Sequence, residues 1–224
     1  MNNILLTIFA VFTLNLSAFG QTSDFQTVKT EDGMIVVNNN KSQRFSFLVA
    51  GANPQSEQSE DGSLLIITDS PVLAEALLIF CAKKSDFLDK KKSYNDGEIL
   101  TVYRNLNAAK LEAIYKTKVE FDVDIKSFVK VSNLTNNIFP TKLLPTFYWS
   151  YIAPTPQNTD RTLFQTVVIG NQVLVIGNSF PASIKLEQVK AFFKQTFESI
   201  ALLPAKQATI TPKKKITNKK AKKN

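Results

Sequence analysis

Residues 162–200 read TLFQTVVI GN QVLVIGNSFPASI KLEQVKAFFKQTFESI, and the period of their apolar residues changes once on the way. Thr162 to Ile169 and Gln172 to Asn178 are two β-rich runs separated only by Gly170-Asn171. A two-residue Gly/Asn link between such runs specifies a tight hairpin, because both residues tolerate the positive φ of a primed turn. From about Lys185 the spacing becomes helical. Leu186, Val189, Phe193, Phe197 and Ile200 recur on one side, and Lys190, Lys194 and Glu198 stay off that stripe. Pro204 stops the helix. A hairpin followed by an amphipathic helix predicts a sheet with a helix packed on it.

Upstream the same two periods alternate. Met34 to Val37, Arg44 to Val49 and Leu64 to Thr68 read as strands, with the polar residues 51–63 as a loop. Ser70-Pro71 reads as a helix start, Ser as N-cap and Pro in the first turn, with Leu73, Leu77, Phe80 and Cys81 as its stripe. Asn95-Asp96-Gly97 reads as a turn before a strand from Ile99 to Tyr103, and residues 106–116 as a helix. Val119, Phe121, Val123 and Ile125 then alternate with Lys118, Glu120, Asp122, Asp124 and Lys126, and Phe128 to Val131 continue in that style. Leu143 to Ile152 is an aromatic strand in which Pro145 predicts an edge or a bulge. The expected fold class is α+β: an antiparallel sheet covered by helices, with a C-terminal helix and a disordered basic tail.

The chain's ending, two strands about Gly170-Asn171 and then a helix finishing in Phe197-Glu198-Ser199-Ile200, resembles the close of PsbP-like domains over roughly residues 162–200. The resemblance implies an antiparallel sheet covered by helices, the last of them C-terminal. It is one of pattern and carries over no functional residue.

The first twenty residues set the expected compartment. Ile4 to Leu16 is uncharged and mostly apolar, and it ends in Ser17-Ala18-Phe19-Gly20 before polar residues. Such a run with small residues at alternate positions reads as a secretory signal, cut between Gly20 and Gln21. It falls short of the roughly 20 apolar residues of a membrane-spanning helix. Its n-region, Met1-Asn2-Asn3, lacks the usual positive charge, and no Cys follows the cut to carry a lipid. The expected organisation is a signal peptide at 1–20, one domain at 21–204 and a Lys-rich tail at 205–224. The protein is expected to be periplasmic or secreted.

Charge is segregated. Of 27 Lys and Arg, eight lie from Lys206 onward with no acid among them, which leaves 19 bases against 19 acids in the rest. The body is formally neutral and the whole +8 sits in the tail. Lys213, Lys214, Lys215, Lys219, Lys220, Lys222 and Lys223 are too polar a run to bury anything. They suit an anionic membrane or polysaccharide surface. No aromatic residue interleaves them, so nucleic acid is not the expected partner.

The 224 residues contain no histidine and one cysteine, Cys81. That removes Ser-His-Asp and Cys-His nucleophilic mechanisms and any His-ligated metal, and leaves no intramolecular disulfide. Glu120, Asp122 and Asp124 share one strand face and form a weak candidate Ca²⁺ site, although Lys118 and Lys126 flank them as on the wet side of a half-buried sheet. Phe147, Trp149 and Tyr151 place three rings on one face of a strand, either a stacking platform for a ligand or, preferably, core. No cofactor is expected. The residues read best as an exported, non-enzymatic binding or interaction module for an unidentified protein or small ligand. The alternatives are a histidine-free, hydrolase-type enzyme using carboxylates such as Asp122 and Asp124, and a structural component of the envelope.

Overall fold

The computed structural model describes residues 25–70, 72–73, 76–115, 125–152, 161–181 and 183–205. Eleven strands form one sheet: β1 (Phe25–Thr30), β2 (Gly33–Asn38), β3 (Arg44–Ala50), β4 (Ala52–Gln58), β5 (Leu64–Asp69), β6 (Leu77–Lys83), β7 (Ile125–Asn133), β8 (Thr141–Ile152), β9 (Arg161–Ile169), β10 (Gln172–Phe180) and β11 (Ala201–Leu203). Among the described residues two α-helices accompany them, α1 (Asp96–Tyr115) and α2 (Leu186–Glu198). The sheet order is β1-β2-β3-β11-β7-β8-β9-β10-β6-β5-β4, and every pairing is antiparallel except β11 with β7. The short β11 therefore joins the first meander, β1 to β3, to the central one, β7 to β10.

Gly51 explains the overall curvature. It is the single residue between β3 and β4, yet those strands stand eight places apart in the sheet order. Only a sheet curled back on itself brings them to one residue's distance. Gly51 turns the corner with φ +142°, and a Cβ there would lie 2.6 Å from the Thr68 side chain, so the position requires glycine. The two edge strands meet through Thr27 and Ser56, whose hydroxyls are 3.1 Å apart. Gly51 N–H also donates to the Asp32 carbonyl at 3.2 Å. The result is a nearly closed, barrel-like sheet.

Its concave side holds the larger core. Phe25, Met34, Phe45, Phe47, Leu64, Ile66, Val131, Leu174 and Ile176, drawn from both ends of the sheet, pack there with Val189, Phe193, Phe197 and Ile200 of α2 and the residues after it. That helix lies inside the curl, and the apolar stripe read from the sequence is the side it buries. A polar tie crosses the same interior: Gln172 donates to the Asn38 amide oxygen at 3.3 Å, and Asn40 donates to Gln172 at 3.0 Å. The convex side has a smaller core, where Ile99, Leu100, Tyr103 and Leu111 of α1 cover Phe80, Phe147, Trp149, Phe164 and Val175.

This corrects the expected fold class. The protein is mostly β, and its sheet is not covered by helices: α1 covers only part of one face, and α2 is wrapped by the sheet. Three local expectations change with it. Where the helix expected after Ser70 would run, Leu77 to Lys83 is a strand, whose residues alternate between the two cores, Leu77, Ile79 and Cys81 on one side and Leu78, Phe80 and Ala82 on the other. A six-residue apolar run buried on both faces carries no period that tells strand from helix. Residues 99–103 are helix rather than strand. Asn95 accepts from Glu98 N–H at 3.0 Å while Glu98 accepts from Asn95 N–H at 2.8 Å, a reciprocal capping box that starts α1. Residues 52–58, expected as loop, form β4, an edge strand whose exposed polar residues suit a sheet border.

Candidate functional site

Among the described residues, the β7–β8 hairpin is the most exposed apolar feature. Its ladder pairs Lys126 with Phe147, Phe128 with Pro145, Lys130 with Leu143 and Ser132 with Thr141. Directly paired residues share a face, so these eight side chains lie on the convex side. Residues of the other parity, Val129, Val131, Leu144 and Tyr148, enter the concave core against α2. Burial there pushes the Tyr148 hydroxyl up to about 12, partly offset by its hydrogen bond with Gln165.

Helix α1 covers only one end of that convex face. Phe147 is 1% exposed beneath it, whereas Phe128 and Leu143, a few residues further along, are 72% and 65% exposed. At the tip Leu134, Ile138 and Phe139 are exposed too, Ile138 at 81%. Among the described residues, the other exposed large apolar side chains, Val28, Ile67 and Ile152, come from other strands and from the far end of β8. Phe128, Leu134, Ile138, Phe139 and Leu143 make the hairpin the candidate contact surface.

The tip backbone is tied down. Asn136 accepts from the N–H groups of Ile138 and Phe139 at 2.9 and 3.3 Å. Asn133 N–H donates to the Pro140 carbonyl at 2.7 Å. Leu134 N–H donates to the Leu202 carbonyl and Ser132 N–H to that of Ile200, each at 2.9 Å, which fastens the base of the tip to β11 and the residue before it. Turn chemistry thus holds the apolar side chains out rather than letting them fold back. Pro145 fits as well, because pairing with β9 begins only at Thr146. It therefore lies where β8 has a ladder neighbour on one side alone, the local equivalent of an edge.

Charge on the hairpin has one sign. Residues 125–152 contain Lys126, Lys130 and Lys142 and neither Asp nor Glu. The Lys126 ammonium sits 5.4 Å from the centre of the Phe147 ring, so its stem lies along the margin of the convex core. Beside it opens a depression of about 710 Å³, lined by Lys92, Tyr94, Glu98, Val102 and Lys126. Its one carboxylate, Glu98, is engaged in capping α1.

The residues singled out in the sequence fall elsewhere. Phe147, Trp149 and Tyr151 do share a face, but each is 2% exposed or less. Trp149 stacks on Phe164 at 4.3 Å between centroids, and the Tyr151 ring lies nearly parallel to Phe164 at 6.3 Å. They form the convex core under α1 and offer no open face to a ligand. Cys81 is buried, and burial raises its thiol well above the ordinary range, which makes it inert as a nucleophile. Glu120, Asp122 and Asp124 lie outside the described residues, as do residues 1–20 and the lysines of the tail. Among the described residues no three His, Cys, Asp or Glu side chains are grouped to hold a metal, and no helix is long and apolar enough to cross a membrane.

The hairpin surface has a signal in the sequence. Phe128 falls on the polar parity of the alternation that begins at Val119, and Leu134, Ile138 and Phe139 sit among turn-forming Asn, Thr and Pro. An apolar residue on a wet face or in a turn is exposed by construction.

No protein-family profile matches the chain, and no curated protein matches it. Among solved structures it is similar to the solution structure of cyanobacterial PsbP (CyanoP) from Synechocystis sp. PCC 6803, at 10% identity and a TM-score of 0.48, over 80% of this chain and 92% of that one. A likeness at that level assigns neither ligand nor activity.

Proposed function

We propose that the protein is a non-enzymatic interaction module working outside the cytoplasm, with the β7–β8 hairpin as its contact surface. The Lys-rich tail acts as an auxiliary arm toward anionic surfaces. The observation that carries this reading is the set of five apolar side chains, Phe128, Leu134, Ile138, Phe139 and Leu143, held in solvent on a pinned backbone. Exposing such a surface costs solubility, and a fixed backbone lowers the ordering entropy of binding. The chemistry of the chain supports the same conclusion: it has no histidine, its one thiol is buried, and its aromatic face is core. Export is supported by the apolar run and small-residue end of residues 1–20.

Fractionation of the source cells tests the reading, with the N-terminus of the recovered chain determined at the same time. The wild-type chain should begin at Gln21 and remain with the envelope fraction. The double variant Ile138→Ser/Phe139→Ser should move to the soluble exported fraction at unchanged thermal stability. Identical partition of the two chains would overturn the contact surface, and recovery of chains still starting at Met1 would overturn export.

A further inference from the structure

The interaction-module reading can be taken one step further, to the partner. We infer that the β7–β8 hairpin is a wedge that enters the interfacial layer of an anionic lipid bilayer. The inference rests on that reading and on the distribution of charge around the apolar residues.

A bilayer interface stabilises apolar side chains at the acyl boundary and positive charge among the head groups a few ångströms above it. The hairpin offers both in that order. Ile138 and Phe139 lead at the tip, Leu134 lies on the loop's ascending side, and Leu143 and Phe128 follow on the convex face. Lys130 stands directly opposite Leu143 and Lys126 is two residues from Phe128 on the same face, while Lys142, paired with Val131, stands on the other face of the hairpin. Lys126 and Lys130 are thus each a strand step from an apolar side chain of that face, where the stem can lie along apolar surface while the head reaches a phosphate, and Lys142 adds charge at the same level from the other face.

The absence of any Asp or Glu from 125 to 152 matters as much. An anionic head-group layer repels carboxylates everywhere, whereas the rim of a specific protein interface ordinarily mixes both signs. The tied backbone means that entry requires no refolding of the tip. By contrast, the depression beside Lys126 carries no part of the inference, since its lining mixes Lys92 and Lys126 with Glu98.

The test uses the full-length chain and vesicles of phosphatidylcholine containing roughly one third phosphatidylglycerol. Phe139→Trp puts an indole at the tip, while the native Trp149 is buried and serves as the internal reference. Lipids brominated in their acyl chains should quench the introduced indole and leave wild-type emission unchanged. Ile138→Ser/Phe139→Ser should lower vesicle partitioning about tenfold or more. Lys130→Gln and Lys142→Gln should each lower it about fivefold. All four side chains face solvent, so melting temperatures should hold. Binding to vesicles without acyl-chain quenching would overturn the wedge and leave only head-group attraction, as the tail alone would give. No binding to vesicles, with envelope retention still dependent on Ile138 and Phe139, would assign the surface to a protein partner; the bilayer would then be wrong and the interaction module would stand.

Discussion

At the scale of single residues, the two cores are decided by what glycine leaves out as much as by what phenylalanine fills. Gly177 pairs with Phe164 across the β9–β10 ladder, and a Cβ on it would lie 2.5 Å from that ring. The bare backbone lets Phe164 lie flat and stack on Trp149. Gly177→Ala should therefore destabilise the protein by about 1–3 kcal/mol through overpacking. It should also shift Trp149 emission, because the displaced ring is the one stacked on the indole. Chemical denaturation followed by tryptophan fluorescence checks both, and an unchanged midpoint with unchanged emission would show that the stack does not depend on this contact. None of this was legible in advance. The sequence offers Gly177 as one glycine in a strand, and nothing in its neighbours says which ring crosses it.

At the scale of elements, legibility followed the clarity of the period. The hairpin about Gly170-Asn171 and the helix from Leu186 to Glu198 form where turn chemistry and a clean helical stripe predict them. Strand β6 is not legible as a strand, because its apolar run is buried on both sides and has no polar face to set a period. The start of helix α1 is ambiguous in sequence, where Asn95-Asp96-Gly97 suits either a turn or an N-cap and Ile99 to Tyr103 is apolar enough for a strand. The deciding residue was Glu98, three positions after Asn95, which completes the capping box. Asn95→Ala removes one half of that exchange and should cost about 1 kcal/mol in a thermal melt. Full stability in that variant would mean that α1 is held by its packing on Phe147 and Trp149 alone.

At the scale of the whole molecule, the curl of the sheet is what separates the contact surface from the core. Because β3 and β4 adjoin in sequence and stand eight places apart in the sheet, strands from both ends surround α2 and consume most of the apolar side chains. Helix α1 covers the convex face only as far as Phe147, and the hairpin runs on past it into solvent. Sequence reading could not see this division, since it depends on non-local closure through Gly51 rather than on any local pattern. It did supply the parts: an alternation that puts Phe128 on the polar parity, a turn rich in Asn, and a stretch with lysines and no acids. Amide hydrogen exchange on the full chain, with and without phosphatidylglycerol vesicles, tests most directly that these parts make a docking tip. The account predicts slowed exchange across residues 134–143 and no change in β9 and β10. Exchange across 134–143 that stays the same when the protein sediments with the vesicles would contradict it.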